Sequence, residues 1–445
     1  MSLSKRLLPI AGVAGLIALS ACGTSTSTSS SGGAGIAGCR GTVTVATDLP
    51  LTAGDATDGP FPAYGAQLAV EQANTNKLLG GCTLKYISKD DATVLKNGHD
   101  PAQGAANITA LANNSSVVGV VGPFNSTVAL AEIPVASQNH LALISPANTN
   151  PGLTIAGSNP LVDTPSLYKG PHTYFRVIAT DKVQAEELAY VATKELKLTK
   201  GYVIDDQELY GAGIATLFKK FLATDGGTVV GTASLPGTTT TFSTQISNAM
   251  SAGAQFIFFG GTTGNGCGLV RRDMGTAGFN VPLLGGDGCQ DKKFFPDANS
   301  GSNTSEGNGA YATSAPDVTK LSSAAKFFSD YAARYASLAA PYNDGKNEPY
   351  TAYGFDAMTI LVQAIKSAIT SNNGQLPSDP QGFRDAVVAA LHQVSYSGAT
   401  GHIAFDQNGD LPPPNSFTLY FSAGGTWTTK ETLTVDSTGN VTVSH

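Results

Sequence analysis

Two polar turns lie directly after apolar strand candidates and could bind an anion. The segment Gly122–Thr127 (GPFNST) follows the apolar run Val117–Val121 and precedes a helix candidate. Parallel sheets bind ligands at the carboxyl ends of their strands, where the hydroxyl of Ser126 and the first free helix amides would favour a carboxylate. Ser126 could instead only cap its own helix. The turn Ser145–Thr149 (SPANT) follows the next strand candidate and can add a hydroxyl and backbone groups.

A carboxylate and three tyrosines could complete such a site. Asp287 stands among glycines in Leu283–Gly288 (LLGGDG), at the end of another strand candidate. Glycines let a ligand approach the backbone closely, and an enclosed carboxylate needs a cation such as a ligand ammonium. The other interpretation is an exposed turn aspartate. Tyr64, Tyr210 and Tyr350 fall at predicted helix starts or loops, where they could line a cavity or belong to the core.

The sequence lacks the motifs of common catalytic and cofactor sites. It has no G-x-S-x-G, H-E-x-x-H or Walker A pattern, and Gly211–Gly213 lacks the third glycine of a dinucleotide fingerprint. The segment Asp406–Asp410 begins like a calcium loop, but Leu411 replaces the required glycine and Phe417 the bidentate glutamate. Asn408-Gly409 is therefore predicted to be a hairpin turn. We expect no enzyme, no cofactor and no metal.

Composition limits the classes of partner. Hydrophobic residues make up 41% and charged residues 13% of the chain, which is typical of an ordered globular protein. The formal net charge is −7, and no basic stripe is present to neutralise phosphates, so nucleic acid is not expected as a partner. A length of 445 residues exceeds one ordinary core and predicts two domains.

Short β-branched or apolar runs alternate with longer amphipathic stretches, which predicts parallel sheets covered on both faces. The strand candidates are Thr42–Thr47, Leu84–Ser88, Val117–Val121, Ala142–Ile144, Tyr202–Asp205, Val229–Ser234, Phe256–Gly260 and Leu283–Gly285. The helix candidates between them are Ala63–Asn74, Pro101–Ala112, Thr127–Asn139, Asp181–Leu196, Gly211–Thr224, Phe242–Ala252 and Gly268–Ala277. The alternation occurs once before about Asn150 and again after about Phe175. We predict an α/β fold of two doubly wound parallel-sheet lobes.

The pattern changes after Ala310 to three helices and then a β-rich tail. Trailing elements could return to cover the first lobe and then the second, so the hinge would be crossed more than once. We place the first lobe at 39–175 plus about 311–398, and the second at 176–310 plus about 399–445. A cleft between two hinged lobes is a natural ligand site.

The N-terminus is typical of an export signal. Lys5 and Arg6 precede the apolar run Leu7–Leu19, which is too short to span a bilayer stably. The following Leu-Ser-Ala-Cys resembles a bacterial lipobox, so we predict a signal peptide over 1–21 and lipidation of Cys22. The remainder of 22–38 is rich in Gly, Ser and Thr and predicts a flexible tether. These features predict an extracytoplasmic protein held at a lipid membrane.

Four cysteines remain beyond Cys22. Cys39, Cys82, Cys267 and Cys289 form an even set in an oxidising compartment, and they allow three pairings. Cys39–Cys82 is favoured because both precede strand candidates that could lie side by side, which would leave Cys267–Cys289. Zinc is the alternative, but the Cys-x-x-Cys spacing is absent.

From about Cys39 to its end, the chain resembles the substrate-binding proteins of branched-chain amino acid ABC transporters, which have the type I periplasmic-binding fold. Each motif is modest, and their order and spacing carry the resemblance. The motifs are Ala63–Gly65, Val121–Ser126, Ile144–Thr149, Tyr174–Arg176, Asp205–Gly211, Gly285–Gly288 and Phe405–Asp410.

The resemblance implies roles for individual residues. Ser126, Ala147 and Thr149 match the turns that hold the ligand's carboxylate and amino group in amino-acid-binding members. The second lobe would contribute Tyr210 and the acidic residue Asp287. Thr262 is a further candidate ligand residue, in the segment Gly261–Gly266, which is more glycine-rich than is usual in the family. Tyr64 matches a first-lobe cleft tyrosine, and Tyr350 a pocket aromatic. Separate permease and ATPase subunits would be the partners.

Two departures from the family bear on the ligand. Members that bind leucine and its relatives have glutamate where this chain has the shorter Asp287, and Pro151–Pro171 is longer than usual. An amino acid or close derivative is the expected ligand. The alternatives are an amide, urea or an aromatic acid in the same fold, or a ligand sensor that serves a signalling partner.

Overall fold

The computed structural model describes residues 36, 38–299 and 307–445. The predicted signal peptide, Cys22 and nearly all of the tether lie outside these residues. Within the described part, every helix is too short or too polar to cross a membrane.

The first sheet has five strands, all parallel. Along the chain its strands and two short companions are β1 (Gly41–Leu49), β2 (Cys82–Asp90), β3 (Ala92–Thr93), β4 (Gly98–His99), β5 (Val117–Val121), β6 (Ala142–Ser145) and β7 (Tyr174–Arg176). The spatial order is β2-β1-β5-β6-β7, and β3 pairs only with β4. The helices in this stretch are α1 (Pro60–Thr75), α2 (Pro101–Ala112), α3 (Ser126–Gln138) and α4 (Thr164–Leu167).

The second sheet has eight strands. The remaining strands are β8 (Lys200–Asp205), β9 (Thr228–Ser234), β10 (Phe256–Gly260), β11 (Leu283–Gly285), β12 (Ala310–Ser314), β13 (Ser395–Gly398), β14 (Gly401–Ala404), β15 (Asn415–Ala423), β16 (Thr426–Val435) and β17 (Val441–Ser444). The order β17-β16-β15-β12-β11-β10-β8-β9 combines a parallel part, β8 to β12, with an antiparallel tail. β13 and β14 form a separate hairpin.

The remaining helices follow the same order along the chain. They are α5 (Asp181–Tyr190), α6 (Leu209–Thr224), α7 (Ser243–Ser251), α8 (Cys267–Thr276), α9 (Phe294–Ala298), α10 (Ala325–Tyr335), α11 (Tyr350–Ser371) and α12 (Pro380–Leu391).

Each sheet is buried on both faces because its central strands are apolar at successive positions. In β10, Phe256 and Phe258 pack into one core cluster, whereas Ile257 and Phe259 pack into another. β5 also contributes to two core clusters, but a register shift opposite Thr44 and Val45 interrupts its alternation, whereas β10 alternates strictly. This period of two is what a parallel sheet covered on both sides requires.

The chain passes between the sheets three times. It leaves the first sheet after β7, returns after β12 as α11 and α12, which pack on β5, and enters the second sheet again at β15. The fold class predicted from the sequence is confirmed. We call the elements packed on the five-stranded sheet the first lobe and those on the eight-stranded sheet the second lobe.

The hairpin turn predicted at Asn408-Gly409 is wrong. β14 pairs with β13, whereas β15 belongs to the second sheet, so the segment between them links the lobes and does not close a hairpin. Asp410 of this link pairs with the fully buried Arg176 at the end of β7, with a distance of 2.6 Å between Nε and Oδ1. The turn therefore fixes one crossing to another.

Two disulfides are formed. Cys39 is bonded to Cys82, the favoured pairing, which ties the start of β1 to the start of β2. Cys267 is bonded to Cys289 and ties α8 to the turn that carries Asp287.

Candidate ligand-binding site

A cavity, partly open to solvent, is lined by residues of both lobes. Many of them follow the carboxyl ends of strands: Ser126 comes after β5, Ala147 after β6, Thr262 after β10 and Asp287 after β11. This is the edge at which open parallel sheets bind ligands.

One end of the cavity presents hydrogen-bond donors. α3 begins at Ser126, and the residue before it, Asn125, provides no side-chain cap, so the first-turn amides have no partner within the helix. The structure does not support Ser126 as a cap, since its hydroxyl donates to Oδ1 of Asn148 at 3.4 Å. Nδ2 of Asn148 is buried without a hydrogen-bond partner, in a residue that is 1% exposed. Donors of this kind suit a carboxylate.

The two turns at this end are joined by Ser145. Its hydroxyl donates to the carbonyl of Pro123 at 2.6 Å and accepts the amide hydrogen of Asn148 at 2.9 Å. Arg176 supports the same turn from behind, because its Nη1 donates to the carbonyls of Asn148 and Asn150. The geometry of the donor end is therefore set by buried polar contacts.

Asp287 forms the centre of the opposite wall. Its Oδ1 accepts hydrogen bonds from the Tyr210 hydroxyl at 2.6 Å and from Nε2 of Gln184 at 3.0 Å. Its Oδ2 accepts from the Tyr350 hydroxyl at 2.5 Å. A carboxylate has about four acceptor positions, so one remains for a ligand cation.

Electrostatics keep the two tyrosines as donors. Burial, and then the neighbouring charge of Asp287, raise the pKa of Tyr210 and of Tyr350 well above the usual range. Both hydroxyls therefore stay protonated at neutral pH and remain hydrogen-bond donors to Asp287.

Four further carboxyl groups line the cavity: Asp55, Asp58, Asp291 and Glu348. Asp55 is paired with His99, whose Nδ1 lies 2.7 Å from Oδ2. Among the described residues, the lining contains no lysine, arginine or histidine. The walls are therefore strongly acidic beyond the donor end.

Seven of the eight predicted ligand residues line this cavity: Ser126, Ala147, Thr149, Tyr210, Thr262, Asp287 and Tyr350. Tyr64 is not among the lining residues. It lies within α1, where its ring packs against Tyr335 and Tyr342.

Several lining or supporting residues were not predicted. Asn148 stood inside a quoted motif, and only its position between two strand-end turns could have drawn attention to it. Gln184 lies in α5, far along the chain from Asp287, and the sequence holds no sign that the two residues meet. Glu348 and Asp58 lie in loop segments without periodicity, so only the fold brings them to the cavity.

A cavity between two doubly wound lobes defines a class of protein, the solute receptors that enclose a ligand between hinged lobes. Residues 42–421 match the sequence model of a protein family, and that family is described as periplasmic binding protein. The chain belongs to this family, and it is a solute-binding receptor and not an enzyme.

Known relatives resemble the chain over most of its length. It is 28% identical over 379 residues to Leu/Ile/Val-binding protein homolog 3 of Brucella melitensis, covering 85% of this chain and 90% of the relative. Among solved structures, the leucine-binding protein LivK of Thermotoga maritima matches with a TM-score of 0.70 at 23% identity, covering 88% of this chain and 98% of LivK. LivJ of Streptococcus pneumoniae, in complex with isoleucine, matches with a TM-score of 0.70 at 21% identity, covering 89% and 99%.

Proposed function

We propose that this protein is the extracytoplasmic substrate-binding receptor of an ABC importer and captures an α-amino acid or close derivative. The observation that carries the proposal is a cavity with donors at one end and Asp287 in the facing wall. Two relatives support the same ligand class by what their names state: one is called a Leu/Ile/Val-binding protein homolog, and LivJ was solved in complex with isoleucine.

The binding mode follows from the two ends. The ligand carboxylate would accept hydrogen bonds from Ser126, Asn148 and the first amides of α3, and its ammonium would take the remaining acceptor position of Asp287. Because the first lobe supplies one end and the second lobe the other, the ligand stabilises the closed arrangement. The receptor would then present its cargo to the importer.

We further propose that Cys22 is lipidated after removal of residues 1–21 and that the tether holds the receptor near its membrane. The charged leader, the short apolar run and the Leu-Ser-Ala-Cys sequence support this. Permease and ATPase subunits would complete the transporter, because the chain carries no phosphate-binding loop. Mass spectrometry of the membrane fraction tests the anchor: a diacylglyceryl mass on Cys22 is expected, and a free thiol there would contradict it.

A thermal-shift screen tests the ligand class. The mature domain, refolded to remove bound ligand, is melted with each amino acid, urea, short amides and aromatic acids. A tight ligand raises the melting temperature by mass action. We expect the shift with amino acids; a shift only with uncharged or purely anionic compounds would overturn the role of Asp287, and turnover of a bound compound would overturn the receptor function.

A further inference from the structure

Three carboxyl groups of the cavity wall lack a positive partner. Asp58 lies in the loop before α1, Asp291 follows the turn of Asp287, and Glu348 comes just before α11. In the described part of the chain, no lysine, arginine or histidine nitrogen lies within 4.0 Å of any of the three. Asp55 differs, because His99 is paired with it.

Glu348 and Asp291 are more than nine-tenths buried, each with 7% exposure. Oε1 of Glu348 accepts only the amide hydrogen of Tyr350, at 3.3 Å, and Oε2 has no hydrogen-bond donor among the described residues. Oδ1 of Asp291 accepts the amide hydrogen of Lys293. One backbone amide does not compensate a buried negative charge.

The carboxyl group of Asp58 lies within hydrogen-bond reach of that of Asp291. Two carboxylates in such contact repel each other unless a proton or a cation lies between them. Burial, and then the charge of Asp291, raise the pKa of Asp58 well above its usual range. Burial and Asp291 raise that of Glu348 in the same way. In the empty cavity these raised pKa values favour protonated, neutral carboxyl groups at Asp58 and Glu348, and a ligand cation would take the place of their protons.

We infer that this wall is a second cation subsite and that the ligand is an amino acid whose side chain ends in an ammonium or guanidinium group. This inference rests on the proposed function, because it assigns the α-ammonium to Asp287 and the side-chain cation to Asp58, Asp291 and Glu348. Asp287 and Glu348 are close enough to interact electrostatically, so the two subsites are continuous.

Two aromatic rings of the cavity lining suit the methylene chain of such a ligand. Phe124 and Tyr350 both line the cavity and meet edge to face with their ring centroids 5.4 Å apart. An alkyl chain buries its apolar surface against rings while its charged end reaches polar groups. A purely aliphatic amino acid would bring no positive charge to the three carboxyl groups.

Calorimetric titration of the refolded mature domain with lysine and norleucine tests the inference, since norleucine is lysine without its ε-ammonium group. We expect lysine, or its arginine and ornithine counterparts, to bind at least a hundredfold more tightly than norleucine. Binding of norleucine or leucine as tightly as lysine would overturn the inference and leave the proposed function intact. Binding of no amino acid at all would overturn both.

Matched variants locate the subsite. Glu348→Gln and Asp58→Asn keep the side-chain size and should each weaken lysine at least tenfold while leaving norleucine within threefold. Unfolding curves show whether each variant is folded. If either variant fails to fold, Asp291→Asn replaces it. An equal loss of affinity for both ligands would overturn the inference. So would a titration in which Ca²⁺ alone binds at this wall and the amino acids do no more than displace it.

Discussion

Asp287 is the residue on which the proposed ligand class depends most. Its carboxylate accepts three hydrogen bonds from the protein, so the fold around it is set before any ligand arrives. Such an arrangement orients a negative charge toward the cavity without a large cost of reorganisation on binding.

Asp287→Ala should weaken an amine-bearing ligand more than tenfold, because the cation then faces no opposite charge. Asp287→Asn keeps the size of the side chain and should show a similar loss, which separates charge from packing. Calorimetric titration measures the affinity, and unfolding curves confirm the fold. Asp163→Ala, at an exposed position outside the cavity lining, is the control. Unchanged affinity in Asp287→Asn would contradict the assignment.

At the scale of elements, β1, β2 and α3 enclose a buried carboxyl triad. Asp48, Asp91 and Glu132 offer oxygens that lie within 4.8 Å of one another, and all three residues are fully buried. Five of their six oxygens have no hydrogen-bond partner; the sixth, Oδ1 of Asp48, accepts from Nδ2 of Asn107 at 2.9 Å. Burial raises the pKa of Asp48 to about 7, and that of Asp91 and Glu132 further above the usual range.

The triad predicts that the fold loses stability as the pH rises from about 4 towards neutrality. A carboxyl group with a raised pKa contributes full stability below its unfolded pKa, near 4, and loses it as the pH rises through its folded pKa. For Asp48 alone the difference is on the order of 4 kcal/mol. Thermal unfolding between pH 5 and pH 8, with EDTA present, should show a falling melting temperature. Glu132→Gln should reduce this fall, and an identical pH dependence in the variant would contradict the prediction.

The two disulfides should differ in their effect on binding. Cys289 lies two residues from Asp287 in the same short turn, whereas Cys39–Cys82 joins two strand starts. Loop entropy predicts a stability loss of about 3 kcal/mol without Cys267–Cys289 and about 4 kcal/mol without Cys39–Cys82. Replacing each pair with serine should lower stability in both cases but weaken ligand binding only for Cys267–Cys289. Equal affinities in calorimetric titrations of the two variants would contradict this.

At the scale of the whole molecule, the sequence predicts elements whose signal is local. β5 and β10 were predicted with their observed limits because they are unbroken apolar runs. The sequence does not predict β7, because the strand has only three residues and ends in the charged Arg176. A buried arginine is explained only by the fold, which pairs it with Asp410. The sequence does not predict Asp58 or Glu348 as cavity residues either, because their roles depend on contacts between segments that are far apart in the chain.

Closure of the lobes can be tested through a contact that does not touch the ligand. The hydroxyl of Thr127, in the first lobe, donates to Oε2 of Glu208, in the second, at 2.6 Å, and neither residue lines the cavity. If the ligand stabilises the closed arrangement, losing this hydrogen bond should weaken ligand binding. The loss in binding free energy should equal the free energy that the bond contributes to closure. A hydrogen bond contributes about 1 kcal/mol, which corresponds to roughly fivefold in affinity.

Glu208→Ala should therefore weaken the ligand about fivefold and leave the receptor more open. Small-angle X-ray scattering at subsaturating ligand should give a larger radius of gyration than the unaltered protein has at the same concentration. Thr216→Ala is the control, because among the described residues the Thr216 hydroxyl bonds to Ala212 of its own helix and to nothing in the first lobe. If Glu208→Ala and the control behave alike in affinity and scattering, the contact does not contribute to closure. The energy of binding would then come from the cavity walls alone.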